Sequence, residues 1–372
     1  VGGTLLGALL GTLLAGPAAA ASGAFGAPGV AVPLAGLDLT CEDARYPALA
    51  GPWVVACGPD GKVDRALSLE TGQELRLPRS FVHPGLAPGL LMGVGAEAGL
   101  LRLEPGGAVE VPISQVHKAG TAPPATDGLR GAMIEAEGVS AWPLQEPTRV
   151  VKPAHPAGWY PPALAGSRLA WVEDAGPDGE DVWWLDLDEP RAAPTPLAGG
   201  PGNQRHVVAS GPFLAWVEPD AVVVLDTRQG ETPAAERRTP ARTGFSAPPS
   251  LWRDVVCWEQ RPPGPVEDSV ERDAQEGTAE GTAEGTAEGT AEGTAEGTAE
   301  GTAEGVDIMC SDGLRAGGPG HQRWPSRYGP WLLYRQGGQL WLRTAAAGPE
   351  DAGPEIAAPE TAGPETAGPT GG

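Results

Sequence analysis

The feature that most constrains this chain is an internal repeat of the form Pro-x-φ-x-Gly-x-x-φ-φ-x, where φ is apolar. Clear copies run through Tyr46–Val55, Pro162–Trp171, Val208–Trp216 and Trp324–Tyr334. Weaker copies lie at Pro84–Gly93, Thr126–Ala136 and Pro248–Cys257. The position five after the turn glycine, or its equivalent, falls at Ala56, Gly93, Ala136, Trp171, Trp216, Cys257 and Tyr334. The steps are 37, 43, 35, 45, 41 and 77 residues, and the last becomes 47 without a 30-residue low-complexity insert. A period of about 40 residues is the length of one four-stranded propeller blade.

Each copy continues in the same way. A second apolar stretch follows a Gly- or Asp-containing loop: Val63–Leu69, Leu100–Leu103, Val139–Leu144, Val182–Leu187, Ala221–Asp226, Val306–Cys310 and Leu340–Leu342. Several of these end in turn chemistry such as Thr71-Gly72 or Gln229-Gly230. Short outer segments follow, for example Glu74–Leu77, Val109–Ile113 and Arg149–Val151. No stretch carries a 3.6-residue apolar period, so helices are not needed. The expectation is an all-β β-propeller of seven four-stranded blades, with six as the alternative count.

Ring closure is legible at the ends. Thr195-Pro196-Leu197-Ala198-Gly199 is the outer strand of its own unit. Val32-Pro33-Leu34-Ala35-Gly36 matches it, yet precedes the first unit, while the seventh unit stops near Arg343 after three strands. The strand around Val30–Leu34 is therefore expected to complete the last blade, which removes an exposed edge. A closed ring of this kind is expected to be a monomer.

Outside the ring the composition changes. Residues 1–21 read as a signal peptide: Val1–Gly16 is rich in Leu, Gly and Ala, and Ala19-Ala20-Ala21 is a small-residue cleavage site. The pattern lacks a basic first region and an initiator Met. The apolar run is too short for a membrane span, and no Cys follows it closely as a lipid anchor would require. Residues 22–345 read as the propeller, interrupted at 276–305 by seven Glu-Gly-Thr-Ala copies and a final Glu-Gly. The tail 346–372 is built of Ala-Gly-Pro-Glu units. Neither appendage has the apolar residues needed to offset chain entropy, so both are expected to be disordered spacers.

The net charge of −23 excludes a nucleic-acid partner, which needs a basic face. Eight Glu in the insert and five acids in the tail hold 13 of these charges, leaving −10 for the ring. The acidity thus describes spacers more than a binding surface.

Four cysteines are an even set, as expected in an oxidising compartment, and allow three connectivities. Cys257 and Cys310 fall on neighbouring antiparallel strands of unit six, a placement that permits a disulfide. Cys41 and Cys57 form the other candidate pair, which would pin the first unit to the closing strand. Neither pair has zinc or redox spacing. Trp171 and Trp216 share one repeat position, so packing between blades is their expected role, and Trp183, Trp184, Trp258, Trp331 and Trp341 are expected to do the same.

The phrases Asn203-Gln204-Arg205-His206, His321-Gln322-Arg323-Trp324-Pro325 and Ala44-Arg45-Tyr46-Pro47 each lead to Gly and an apolar strand. They resemble TolB-type propeller repeats. Glu180-Asp181-Val182-Trp183-Trp184-Leu185-Asp186-Leu187 resembles that family's Asp-Ile-Tyr-x-Tyr-Asp-Leu stretch, and Val306-Asp307-Ile308-Met309 does so more faintly. The resemblance covers most of residues 28–345. It implies an exported envelope protein that binds partners on a rigid disc, and it is a poor guide to activity because fold does not fix function. The separate N-terminal domain of TolB is not recognisable here.

No Gly-x-Ser-x-Gly elbow, His-Glu-x-x-His or phosphate loop occurs, so no catalytic residue, cofactor or metal ligand is assigned. His83, His117, His155, His206 and His321 all fall in the connections leading to innermost strands. The set Arg45, Gln204, Arg205, His206, His321, Gln322 and Arg323 converges on one face and is the candidate binding site, for an anion or a carboxylate peptide end. The alternative role for its Gln-Arg pairs is to tie neighbouring blades through backbone carbonyls. The acidic loop Glu173–Asp181 departs from calcium-loop spacing and reads as a solvated hairpin tip. The expected function is a non-catalytic scaffold, periplasmic or extracellular, binding a protein or small ligand, without a membrane span in the mature chain. The alternatives are a propeller enzyme with a polar axial site and a purely structural propeller.

Overall fold

A computed structural model describes residues 31–34, 48–58, 60–93, 99–113, 122–146, 149–157, 160–189, 191–199, 202–229, 236–242, 247–261, 305–318, 321–337 and 339–345. The expected signal peptide, most of the insert, the tail, Arg45, Cys41 and His117 lie outside the described residues.

The strands form seven sheets of four. Blade one runs Ala48–Ala50, Trp53–Cys57, Val63–Ser68 and Glu74–Phe81 from inside to outside. Blades two to six repeat this order, each an antiparallel meander. The innermost strands of blades two to seven are Gly85–Ala87, Ala125–Thr126, Ala163–Ala165, Arg205–Ser210, Ser250–Trp252 and Gln322–Tyr328. Each innermost strand touches those of the blades on either side, and blade seven touches blade one. The chain is a seven-bladed β-propeller. No helix among the described residues is long and apolar enough to cross a membrane.

Closure follows the sequence. Ala31–Pro33 pairs antiparallel with Gln339–Thr344, with Val32 opposite Leu342, and forms the outer strand of blade seven. Leu34 N–H adds a bond of 2.9 Å to Leu340 O. A second tie closes the ring near the axis, where Ser326 Oγ of blade seven accepts from Leu49 N–H of blade one at 2.8 Å. The same bond recurs one blade earlier, Ser250 Oγ accepting from Arg327 N–H at 2.6 Å.

The repeat glycine sits where the first hairpin turns. Gly51, Gly166, Gly211 and Gly329 have φ between +54° and +68°, which only glycine adopts without cost. Each opens a two-residue turn, the geometry that fits strand twist. Blade six carries Arg253 there at φ +52°, with its N–H held by Ser210 Oγ at 2.8 Å.

The described residues hold seven apolar clusters, one at each blade–blade interface. The core is therefore a ring of wedges. Pairing across the hairpins corrects the repeat alignment in two units. Ala125 pairs with Ala132 as Ala163 does with Ala170, so Met133, not Ala136, matches Trp171. Trp252 pairs with Val255 as Ser210 does with Phe213, so Trp258, not Cys257, matches Trp216. The weak copies lack a glycine at the usual turn position, which hid the one- and three-residue slips. Met133, Trp171, Trp216, Trp258 and Tyr334 thus share one position, and each packs toward the preceding blade.

Cys257 and Cys310 are opposite one another in the register and disulfide-bonded, with Cα atoms 4.0 Å apart. The bond spans 53 residues and closes the base of the insert-bearing loop. Cys57 is also disulfide-bonded, and its expected partner Cys41 falls outside the described residues.

Candidate functional site

Strands alternate in direction, so the outer-to-inner connections and the loops after each second strand lie at the same end of every blade. The predicted site residues that are described, Gln204, Arg205, His206, His321, Gln322 and Arg323, sit at this end. In blade five, Gln204 N–H donates to Glu180 O at 2.6 Å, and Asn203 Oδ1 accepts from Glu180 N–H at 3.1 Å. Arg205 is ion-paired to the Glu180 carboxylate. The buried Gln204 amide, oriented to satisfy its neighbours, donates to Asp181 Oδ1 at 3.0 Å and Glu180 O at 2.8 Å. Gln204 and Arg205 therefore join blade five to blade four.

Blade seven uses the same element on blade six. Gln322, fully buried, donates its N–H to Val306 O at 2.8 Å. His321 Nδ1 accepts from Val306 N–H at 3.2 Å. Trp324 N–H donates to Glu259 Oε1 at 3.0 Å. Arg323 differs from Arg205: it is exposed and makes no ion pair among the described residues. His321 is exposed as well, whereas His206 is buried edge-on against Tyr160, ring centroids 4.7 Å apart. Burial raises the Tyr160 phenol above its usual range, Glu180 adds to the rise and Arg205 opposes it.

His83, His206 and Trp324 share one backbone feature, a φ of +48° to +59° just before the innermost strand turns in toward the axis. Such values are uncommon outside glycine. In blades five and seven the register shifts at this point, between Arg205 and Val208 and between Arg323 and Ser326. The bulge re-aims the chain from the disc face into the axis.

That axis holds a cavity of about 270 Å³ walled by residues of all seven blades. Eight of them are prolines, among them Pro84, Pro124, Pro162, Pro249 and Pro325. An innermost strand has a free edge toward the axis, and proline there leaves no N–H to satisfy. Ala, Val and Leu fill most of the remaining wall, with Trp324 and the hydroxyls of Thr126, Ser250 and Ser326. The side chains of such a wall can pack against an apolar group. A second cavity, about 640 Å³, opens between blades four and five and is lined by Trp216, Glu218, Asp220, Glu236 and Arg238 among others.

Sequence reading missed Glu180 and Glu259 as the acceptors that fix these connections. The recurrent Trp-x-Glu of Trp171-Val172-Glu173 and Trp216-Val217-Glu218 marks neither of them; it marks acceptors for the indoles of Trp171 and Trp216. In the acidic loop, Glu173 accepts from Trp171 and Asp174 Oδ1 caps Gly176 N–H at 2.7 Å. Among the described residues no group of three or more His, Cys, Asp or Glu is arranged to hold a metal.

No family model and no curated protein matches the chain in sequence. Solved structures that match include TolB from Acinetobacter baumannii, at 14% identity and a TM-score of 0.37, over 54% of this chain and 54% of that one. BamB from Moraxella catarrhalis matches at 13% identity and 0.34, over 57% of this chain and 65% of its own. A Mycobacterium tuberculosis puromycin-hydrolyzing peptidase matches at 17% identity and 0.35, over 58% of this chain and 41% of its own. The match thus spans about half of TolB and less than two thirds of BamB. The blade count and closure rest on this chain's own hydrogen-bonded sheets.

Proposed function

We propose that this protein is an exported, non-catalytic propeller that binds a partner or ligand at the axial end of its disc. The observation that carries this reading is the axial cavity, drawn from all seven blades and walled largely by proline and aliphatic side chains. The occupant that suits it is an apolar group with an anionic end, such as a peptide C-terminus. Arg323, exposed and next in sequence to the wall residue Trp324, supplies the cation. Arg205 is committed to Glu180 and has a structural task in this reading. The disulfide between Cys257 and Cys310 supports export, since such bonds persist in oxidising compartments.

Crosslinked pull-down from envelope fractions tests the proposal. The same partner or ligand should be recovered reproducibly with the native chain and lost with Arg323→Ala, whose melting temperature should not change. Arg205→Ala should lower the melting temperature instead. Reproducible absence of any bound species, or retention of binding in Arg323→Ala, overturns the reading.

A further inference from the structure

The axial cavity has a polar lining that its side chains do not reveal. Each innermost strand pairs with the second strand of its blade on one edge, and its other edge faces the axis. Along an antiparallel pair, hydrogen-bonded and non-hydrogen-bonded positions alternate. The pair that closes the two-residue turn is bonded, so the residue just before it points its N–H and C=O toward the axis. That residue is Leu49 in blade one, then Leu86, Thr126, Leu164, Ala209, Leu251 and Arg327 in blades two to seven. Pairing on the far side of the second strand agrees. Leu103 N–H donates to Gly89 O at 2.8 Å and Thr227 N–H to Pro212 O at 3.0 Å. By the same alternation Leu91 and Leu214, opposite Leu86 and Ala209, are bonded to their third strands.

Two of these N–H groups are taken by a serine of the preceding blade. Arg327 N–H donates to Ser250 Oγ at 2.6 Å, and Leu49 N–H to Ser326 Oγ at 2.8 Å. The other five make no hydrogen bond to protein among the described residues. The position of Ser250 and Ser326 is held there by Ala48, Gly85, Ala125, Ala163 and Val208, none with a hydroxyl. All five residues line the cavity, whose described wall holds no Asp, Glu, Lys or Arg. Buried backbone donors are almost always paired, so these call for an acceptor inside the cavity. Proline stands two residues before four of them, at Pro84, Pro124, Pro162 and Pro249, and removes the next axis-facing N–H. The donors are thereby confined to one level, a belt around the axis. Ser250 and Ser326 continue it, because a hydroxyl that accepts from an N–H keeps its own proton to donate.

We propose that this belt receives the C-terminal carboxylate of a bound peptide, with the main-chain N–H groups of Leu86, Thr126, Leu164, Ala209 and Leu251 as its donors. The carbonyls of the same residues also face the axis, so an occupant has to bring acceptors and a donor side by side. A peptide C-terminus does both: its carboxylate accepts and its last amide N–H donates. Bonds to an ionised acceptor are roughly twice as strong as neutral ones, and backbone N–H groups serve elsewhere to capture terminal carboxylates. The inference rests on the axial-binding reading above and adds the inner half of the site. Arg323 supplies charge at the mouth, and the belt fixes the carboxylate within.

Amide proton–nitrogen NMR spectra of the full chain, titrated with N-acetylglycine, test it. The controls are N-acetylglycinamide, which lacks the carboxylate, and sodium chloride. Saturable downfield shifts are expected at two or more of the five belt amides with N-acetylglycine. They should be several-fold larger than with the amide at equal concentration, and absent with chloride. A silent belt overturns the inference. If Arg323 responds while the belt is silent, the axial reading stands and Arg323 alone holds the anion. Equal shifts with N-acetylglycinamide also overturn the inference, since the belt then does not select a carboxylate. An empty pull-down beside a responding belt overturns the scaffold reading and leaves the carboxylate site supported.

Discussion

The indole Nε1–H of Trp216 donates to Glu218 Oε1 at 3.0 Å, two residues further along the same strand. The pair recurs around the ring, as Trp171 to Glu173 at 3.2 Å and as Trp258 to Gln260 at 3.0 Å. Residues two apart in a strand share a face, so the acceptor sits on the same blade–blade wedge as the ring. A buried indole has one donor to satisfy, and here the strand that supplies the ring supplies its acceptor too. Glu218 is buried in turn and is ion-paired to Arg238, raising that guanidinium above its usual value.

Glu218→Ala should therefore destabilise the chain by about 1–3 kcal/mol, the cost of leaving a buried donor without its acceptor. Glu218→Gln keeps an acceptor and should lose less. Urea unfolding at neutral pH checks the order. Equal losses in the two variants would place the effect in the Arg238 ion pair instead.

Removing residues through Leu34 should lower the melting temperature sharply and promote self-association. The deletion strips the outer strand from blade seven and leaves the Trp341–Arg343 edge unpaired. Scanning calorimetry and size-exclusion chromatography read the two effects. An unchanged melting temperature would contradict closure by Ala31–Pro33.

The disulfide makes the insert nearly neutral for stability. With Cys257 and Cys310 joined, the 53-residue span is already closed in the unfolded chain. Cys257→Ala with Cys310→Ala should cost about 2–4 kcal/mol. Deleting residues 276–305 should change little in the native background. In the double variant it should recover about 0.6 kcal/mol, since loop-closure entropy rises slowly with length. Equilibrium unfolding of the four chains measures both terms.

Asp226 gives a pH signature. Arg228 grips its carboxylate with Nε at 2.8 Å and Nη2 at 2.7 Å, and Gln229 adds a bond of 3.1 Å. The hydrogen bond from Arg228 leads in holding the Asp226 pKa down to about 2, against opposing desolvation. The folded value lies below the unfolded one, about 3.9. The contribution is therefore complete above pH ~4 and is lost as pH falls toward ~2. Asp226→Asn should flatten the decline in stability over that window. An identical slope in the native chain and the variant would contradict the assignment.

Seven blades and the closing strand were legible because a blade is a local meander. Its Gly turn, its period-2 apolar pattern and its length all recur along the chain, so Val32-Pro33-Leu34 could be matched to Thr195-Pro196-Leu197 by sequence alone. The cysteine pair in unit six was legible for the same reason: adjacent strands of one meander have a narrow choice of register. In blades three and six, where glycine is displaced or replaced at the turn, the pattern slipped to Ala136 and Cys257. Only backbone pairing put Met133 and Trp258 in register. The candidate site was less legible still. The sequence placed Arg205 and Arg323 at equivalent positions and gave no means to separate them. Tertiary structure did so by setting Glu180 of the neighbouring blade against Arg205 and leaving Arg323 in solvent. That choice depends on side chains from different repeats meeting across an interface, which no local pattern encodes. The axial cavity, assembled from three or four residues of each of six blades and one of the remaining blade, exists only once the ring has closed.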